Sequence, residues 1–153
     1  MRGLVVLDIA PVTYQPRHDS VFRGLKAIDL MQLQSREEAE QALVQYIPEA
    51  AVRSFLLKNL VRESGGFQWR MHLADLEAQY LKLIQANRVG TFPAPVLFLK
   101  GGDSDYISSD HRLVVLQRFP GAQYKVVAGT GHWLHAEKPG LIAAQIKTFL
   151  QKI

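Results

Sequence analysis

Val126-Val127-Ala128-Gly129-Thr130-Gly131-His132-Trp133 is the stretch whose reading decides the fold. An apolar run from Tyr124 to Ala128 ends in a turn built from two glycines, and a histidine follows at once. Gly129 and Gly131 allow the backbone angles that such a reversal needs. A strand that stops there can hold an imidazole over a site. Beyond it comes Trp133-Leu134-His135-Ala136, and Glu137-Lys138-Pro139 opens an amphipathic helix running to Ile153, with Leu141, Ile142, Ile146, Phe149 and Leu150 facing inward.

Working back from this strand, Phe119-Pro120-Gly121-Ala122 reads as a turn and Arg112 to Phe119 as a helix capped by Ser109 or Asp110. Val96-Leu97-Phe98-Leu99 is a second buried strand, ending in Lys100-Gly101-Gly102-Asp103-Ser104-Asp105-Tyr106-Ile107. Leu4-Val5-Val6-Leu7-Asp8-Ile9-Ala10-Pro11-Val12 opens the chain. Its apolar run, β-branched in the middle, predicts a strand covered on both faces. Asp8 sits at the C-terminal end of that strand, and Pro11 removes a ladder donor. Ligands of open α/β sheets bind at the C-terminal ends of strands, although an Asp there can also serve a turn. Strand–helix–strand units with short loops favour parallel neighbours. The expected fold class is therefore α/β, with about three parallel strands and flanking helices, and its polar or glycine-rich loops lie on one sheet edge.

Residues 13–93 read as almost entirely helical. One helix runs from Asp19 to about Leu33, carrying Val21, Phe22, Leu25, Ile28 and Leu33 as its stripe. Ser35-Arg36-Glu37-Glu38 is a capping box. Pro48 fits the first turn of the next helix, which carries Val52, Phe55, Leu56, Leu60 and Val61. Ser64-Gly65-Gly66 marks a turn, Phe67 to Met71 a short extended piece, and Leu73 to about Asn87 a last helix. The block carries no metal spacing and no phosphate loop, and His18 and His72 are isolated, which points to structural or surface roles. The expected organisation is an α/β core of residues 1–12 and 94–153, with residues 13–93 inserted in it.

The composition narrows the function classes. With 48% hydrophobic and 21% charged residues, the 153-residue chain matches a soluble globular domain. Its net charge of +4 is spread over scattered Arg and Lys, which argues against nucleic acid. There is no cysteine, so disulfides, thiolate zinc sites and a cysteine nucleophile are excluded. No apolar run has the length of a membrane span. Leu4 to Ile9 is too short for a signal segment and is cut by Asp8, which makes the cytoplasm the expected location.

A His just past one parallel strand and an Asp just past another can meet at the C-terminal edge of the sheet, the arrangement of the base and orienting acid in a nucleophilic triad. At this point the sequence resembles the C-terminal half of the α/β-hydrolases, over essentially the whole chain. The branch it is most similar to is the small bacterial acyl esterases of the YbfF type and their mitochondrial relatives. Leu4 to Val12 resembles that branch's sixth strand, Phe98 to Ile107 its seventh strand and following loop, and Gly129 to Pro139 its catalytic-histidine segment. The resemblance implies a partial α/β-hydrolase fold in which residues 13–93 form a helical cap. It implies His132 as general base and no metal or organic cofactor. Most α/β-hydrolases place the acid in a Gly-x-x-Asp pattern after the seventh strand; starting that pattern at Gly101 puts Ser104 at the acid position. The YbfF branch uses the Asp ending the sixth strand, here Asp8. Asp8 is therefore favoured, with Asp103 and Asp105 as the alternatives.

The chain departs from the family at the nucleophile. None of Ser20, Ser35, Ser54, Ser64, Ser104, Ser108 or Ser109 has glycine two residues before and two after, so the Gly-x-Ser-x-Gly elbow is absent. The oxyanion hole is built partly from the residue after that serine and partly from an early loop, and much of the rate enhancement comes from it. The expectation is a C-terminal portion of a serine ester hydrolase: a gene fragment, a mis-called start or one piece of a split enzyme. It would act on a small acyl ester once completed by an N-terminal half. Two non-enzyme readings stand beside it: a module that self-associates through exposed sheet edges, and one that binds a partner or an acyl ligand.

Overall fold

The computed structural model describes residues 1–63, 65–86 and 90–153, and the chain divides into two compact units, residues 1–13 with 86–153, and residues 14–85. In the first unit, strands β1 (Leu4–Leu7), β4 (Val96–Gly101) and β5 (Ala122–Val127) form a parallel sheet in the order β1-β4-β5. Leu4 pairs with Val96 and Leu7 with Leu99 on one side of β4; Val96 pairs with Ala122 and Gly101 with Val127 on the other. The central strand is the buried one: Val96, Leu97, Phe98 and Leu99 are all buried, whereas β1, equally apolar and expected to be covered on both faces, is only partly buried at the edge of the sheet.

Side chains alternate across a strand, so these four residues feed two cores. Leu97 and Leu99 pack with Val127, Leu134, Ile142 and Phe149, beneath α8 (Pro139–Leu150). Val96 and Phe98 pack with Ala10, Ile107 and Val115, the last on α6 (Arg112–Arg118). Helices on both faces of a parallel sheet account for the unbroken hydrophobicity of β4. The final helix opens within the Glu137-Lys138-Pro139 stretch, as the sequence predicts. Leu134–Glu137 forms a separate short turn, α7, and Pro139 occupies the first turn of α8, where its missing N–H costs nothing. Ahead of α6, Ser108 caps a 3-10 turn over Ser109–His111, one residue before the expected cap.

The second unit is described by itself. Helices α1 (Asp19–Ala27), α2 (Arg36–Leu43) and α3 (Ala50–Leu57) bury Leu25, Ala39, Leu43 and Leu57. Ser35 caps α2 as expected, accepting from the Glu38 N–H at 3.1 Å. The block is less helical than its sequence predicts. Leu60–Glu63 (β2) and Gly66–Trp69 (β3) form an antiparallel hairpin, in place of the helix expected through Leu60 and Val61. Gly66, at φ 125, supplies the backbone conformation of the reversal, and Leu60 stays in the core on the strand. Ser64 of the expected turn lies outside the described residues.

Helix α1 stops at Ala27, not near Leu33. There Ile28 is extended and the Asp29 side chain accepts the Met31 N–H at 3.0 Å, a local turn that competes with the helix. Pro48 precedes α3 and does not enter it, and its carbonyl accepts from Arg53 Nη1 at 2.7 Å. The last expected helix of this unit breaks at Gln79 into α4 (Leu73–Ala78) and α5 (Tyr80–Leu83). Its expected end, Asn87, is outside the described residues.

Candidate active site

β1 ends on a residue with an unusual backbone. Asp8 has φ 48, the only positive value at a non-glycine among the described residues. Asp is one of the few side chains that tolerate the left-handed region. The turn places the carboxylate inside the unit, where it is fully buried. A buried carboxylate needs donors, and three reach it. The Gly101 N–H donates to Oδ1 at 2.9 Å, the Ser104 hydroxyl donates to Oδ2, and His132 Nδ1 lies 2.9 Å from the same Oδ2. Burial pushes the carboxyl's pKa up, but the bonds from His132, Ser104 and Gly101, with the His132 charge, outweigh it and hold the group below the ordinary carboxylate value. An ionised carboxylate only accepts. Nδ1 therefore carries a proton, and whenever the imidazole is neutral its lone pair lies on Nε2.

The loop that brings His132 is fixed at both ends. Gly129 takes φ 61. Thr130 is buried, and its hydroxyl donates to the Val127 carbonyl at 2.7 Å. The Gly131 N–H donates to the Glu137 carboxylate at 3.1 and 3.2 Å, and Lys138 Nζ donates to the Ala128 carbonyl at 2.6 Å. Glu137 and Lys138 thus strap the loop from the helical side. The neighbouring loop fits against it through Gly101: a Cβ there would overlap the Gly131 carbonyl oxygen and lie 2.9 Å from that of Thr130. Lys100 Nζ braces this second loop, donating to the Gly101 and Ser104 carbonyls at 2.7 and 2.9 Å.

Of the residues singled out from the sequence, Asp8 and His132 are brought together from 124 positions apart. Asp103 and Asp105 are exposed on the loop after β4. Ser104, at the position where the Gly-x-x-Asp pattern expects an acid, bonds the Asp8 carboxylate. The strand ends of β1 and β4 therefore address the same carboxylate. His135 is exposed, and Trp133 is half-buried with its ring 6.1 Å from that of His135. In the second unit, His18 Nδ1 is 2.7 Å from the Tyr80 hydroxyl, and His72 is exposed beside Asp75 at 3.9 Å. Sequence reasoning missed Tyr106, whose ring stacks on His132 with centroids 3.8 Å apart and planes at 17°. It also missed the strap by Glu137 and Lys138. Among the described residues no cluster of His, Asp or Glu could hold a metal ion, and no helix is long and apolar enough to cross a membrane.

No family model matches the chain. Its sequence is 38% identical over 148 residues to Esterase YbfF of Escherichia coli, covering 96% of this chain and 57% of that protein. It is 37% identical over 160 residues to the sn-1-specific diacylglycerol lipase ABHD11 of Mus musculus, covering 96% of this chain and 50% of that one. Among solved structures, a marine microorganism esterase superposes with a TM-score of 0.92 at 32% identity, over 97% of this chain and 60% of its own. The chain belongs to the α/β-hydrolase superfamily. It corresponds to the C-terminal half of an esterase of this superfamily, with β1, β4 and β5 as parallel strands of the hydrolase sheet. The chain spans about half the length of the curated relatives it matches, 50–57% for three of them.

Proposed function

We propose that this chain supplies the general base and the acid of a serine ester hydrolase, with His132 as base and Asp8 as acid. The observation that carries the proposal is the buried, ionised Asp8 carboxylate accepting from His132 Nδ1 at 2.9 Å. In that arrangement Nε2 takes the proton of a serine hydroxyl as the oxygen attacks the ester carbonyl. Asp8 stabilises the imidazolium and keeps its tautomer. His132 then protonates the departing alcohol, and a water activated by the same nitrogen releases the acid from the acyl-enzyme. The serine and the oxyanion donors come from a Gly-x-Ser-x-Gly half that this sequence does not contain. On this reading residues 1–12 and 94–153 belong to the hydrolase core, residues 13–93 are a helical cap inserted in it, and the substrate is a small acyl ester.

The test is complementation. The chain is co-expressed with an N-terminal half carrying Gly-x-Ser-x-Gly, and hydrolysis of p-nitrophenyl esters of graded chain length is measured. The expected result is turnover by the pair and by neither half alone, falling by about 10⁴ when Asp8 is replaced by Asn. Turnover that survives His132→Ala would sink the assignment.

A second reading, self-association of the chain alone, is favoured by the edge position of β1. Among the described residues that strand pairs only with β4, and an apolar recess of about 220 Å³ beside it is lined by residues that include Leu4, Val6, Ile9, Phe98 and Phe119. Unpaired strand edges template pairing with another chain. Sedimentation decides this reading: a monomer at all concentrations tested removes it.

A further inference from the structure

The bond to Asp8 leaves the imidazole one freedom. A single contact at Nδ1 fixes an edge of the ring, but the ring can still swing about the Nδ1···Oδ2 line and carry Nε2 with it. A general base needs Nε2 aimed, because proton transfer depends on geometry before it depends on basicity. The contact that removes this freedom is a face contact. Tyr106 lies parallel to His132, at 17° between planes and 3.8 Å between centroids.

Tyr106 is held there by the same network. Its backbone N–H donates to the Ser104 oxygen at 3.2 Å, and the Ser104 hydroxyl donates onward to Asp8 Oδ2, the atom that His132 engages. The four residues close a circuit: Tyr106 backbone to Ser104, Ser104 to Asp8, Asp8 to His132, and the His132 ring back onto the Tyr106 ring. Tyr106 is half-buried and its backbone is tied to Ser104, so its ring is placed against the imidazole by the loop that also serves Asp8. The stack also has a charge preference, since the π face of a tyrosine attracts a cation. It therefore favours the imidazolium that forms when the base takes its proton, and it keeps water off one face.

We propose that Tyr106 is a positioning residue that fixes the plane of the His132 imidazole while Asp8 fixes its edge. This rests on His132 being the base, so the experiment separates the two claims. The chain itself, with 15N- and 13C-labelled histidine, is observed by NMR above neutral pH. The expected wild-type spectrum shows a His132 Nδ1–H donor, one ring orientation, ring-current displacement of the His132 carbon-bound protons and contacts to the Tyr106 ring protons.

Tyr106→Phe keeps all of these. Tyr106→Leu keeps the Nδ1–H signature but loses the displacement, and the imidazole averages over more than one orientation. Asp8→Asn loses the Nδ1–H signature. If Tyr106→Leu leaves a single orientation, or the wild type has no ring–ring contacts, the role of Tyr106 is overturned while the Asp8 arm still reports on the dyad. If Asp8→Asn changes nothing, the acid–base assignment fails on its own. Should the Leu variant not fold, the wild-type and Phe spectra still decide, because loss of the displacement in Phe contradicts the proposal.

Discussion

Replacing Asp8 by Asn isolates the charge of the buried carboxylate. Asn tolerates the left-handed backbone as Asp does, so the φ of 48 adds no strain of its own. The side chain keeps its shape, but one of its two acceptors becomes a donor. If the amide oxygen stays on the Gly101 N–H, the NH₂ faces the Ser104 hydroxyl and His132 Nδ1, both of which donate in the wild type. The serine can rotate its proton, and the histidine must change tautomer. Charge-assisted bonds contribute about 1.5–3 kcal/mol each. The imidazole is 38% exposed, so water compensates part of its loss.

The expected net cost at neutral pH is about 2 kcal/mol, or about 4–8 °C in the melting temperature of a domain of this size. The pH dependence has a definite sign. Asp8 titrates below its ordinary value in the folded state. Its stabilisation is therefore complete above the unfolded value of about 3.9 and is lost as pH falls through the lower, folded value. Thermal melts of the two proteins, followed by circular dichroism from pH 7 downward, should differ most at neutral pH and converge in acid. Equal melting temperatures at pH 7, or a gap that persists at the acid end, would refute the bonding scheme.

Three further outcomes follow from particular contacts. Ser104→Ala deprives Asp8 Oδ2 of one donor and the Tyr106 N–H of its acceptor, and urea unfolding should show a loss of about 1–2 kcal/mol. Gly101→Ala sets a methyl against the Gly131 carbonyl. It should cost about 1–3 kcal/mol and displace the His132 resonances, whereas Gly65→Ala, with open space around it, should leave them in place. Leu43→Ala opens a cavity in the fully buried centre of residues 14–85; a loss of about 2–5 kcal/mol should appear in the melt while the His132 spectrum is unchanged.

The sheet was legible because its cause is local. Four consecutive buried positions at Val96–Leu99 need two covered faces, and the sequence alone carries that information. Asp8 and His132 were legible as strand-end residues and through a family resemblance, since each stands where a strand meets a short loop. What escaped depends on where loops go. Nothing near Tyr106 says that its ring will meet one 26 positions on. Ser104 is noticeable only as a serine where a pattern expects an acid. The hairpin over Leu60–Trp69 was hidden for a different reason: Leu60 and Val61 continue the helical spacing of the residues before them, and pairing with Phe67–Trp69 overrides that local preference. Helix α1 ended early because the Asp29 carboxylate took the Met31 N–H, a competition that apolar periodicity does not register.

The straps on the His132 loop bear on how an active pair of halves would come together. The bonds that tie Asp8, Ser104, Tyr106 and the His132 loop to one another lie within residues 1–13 and 86–153. The imidazole is thus oriented by its own unit, and on the proposed reading it would be so before a serine approached. Assembly would be the docking of two rigid faces, with the ordering entropy of the base already spent during folding. Loss of activity on dilution would then track occupancy of the complex alone, and turnover per assembled pair would not depend on concentration.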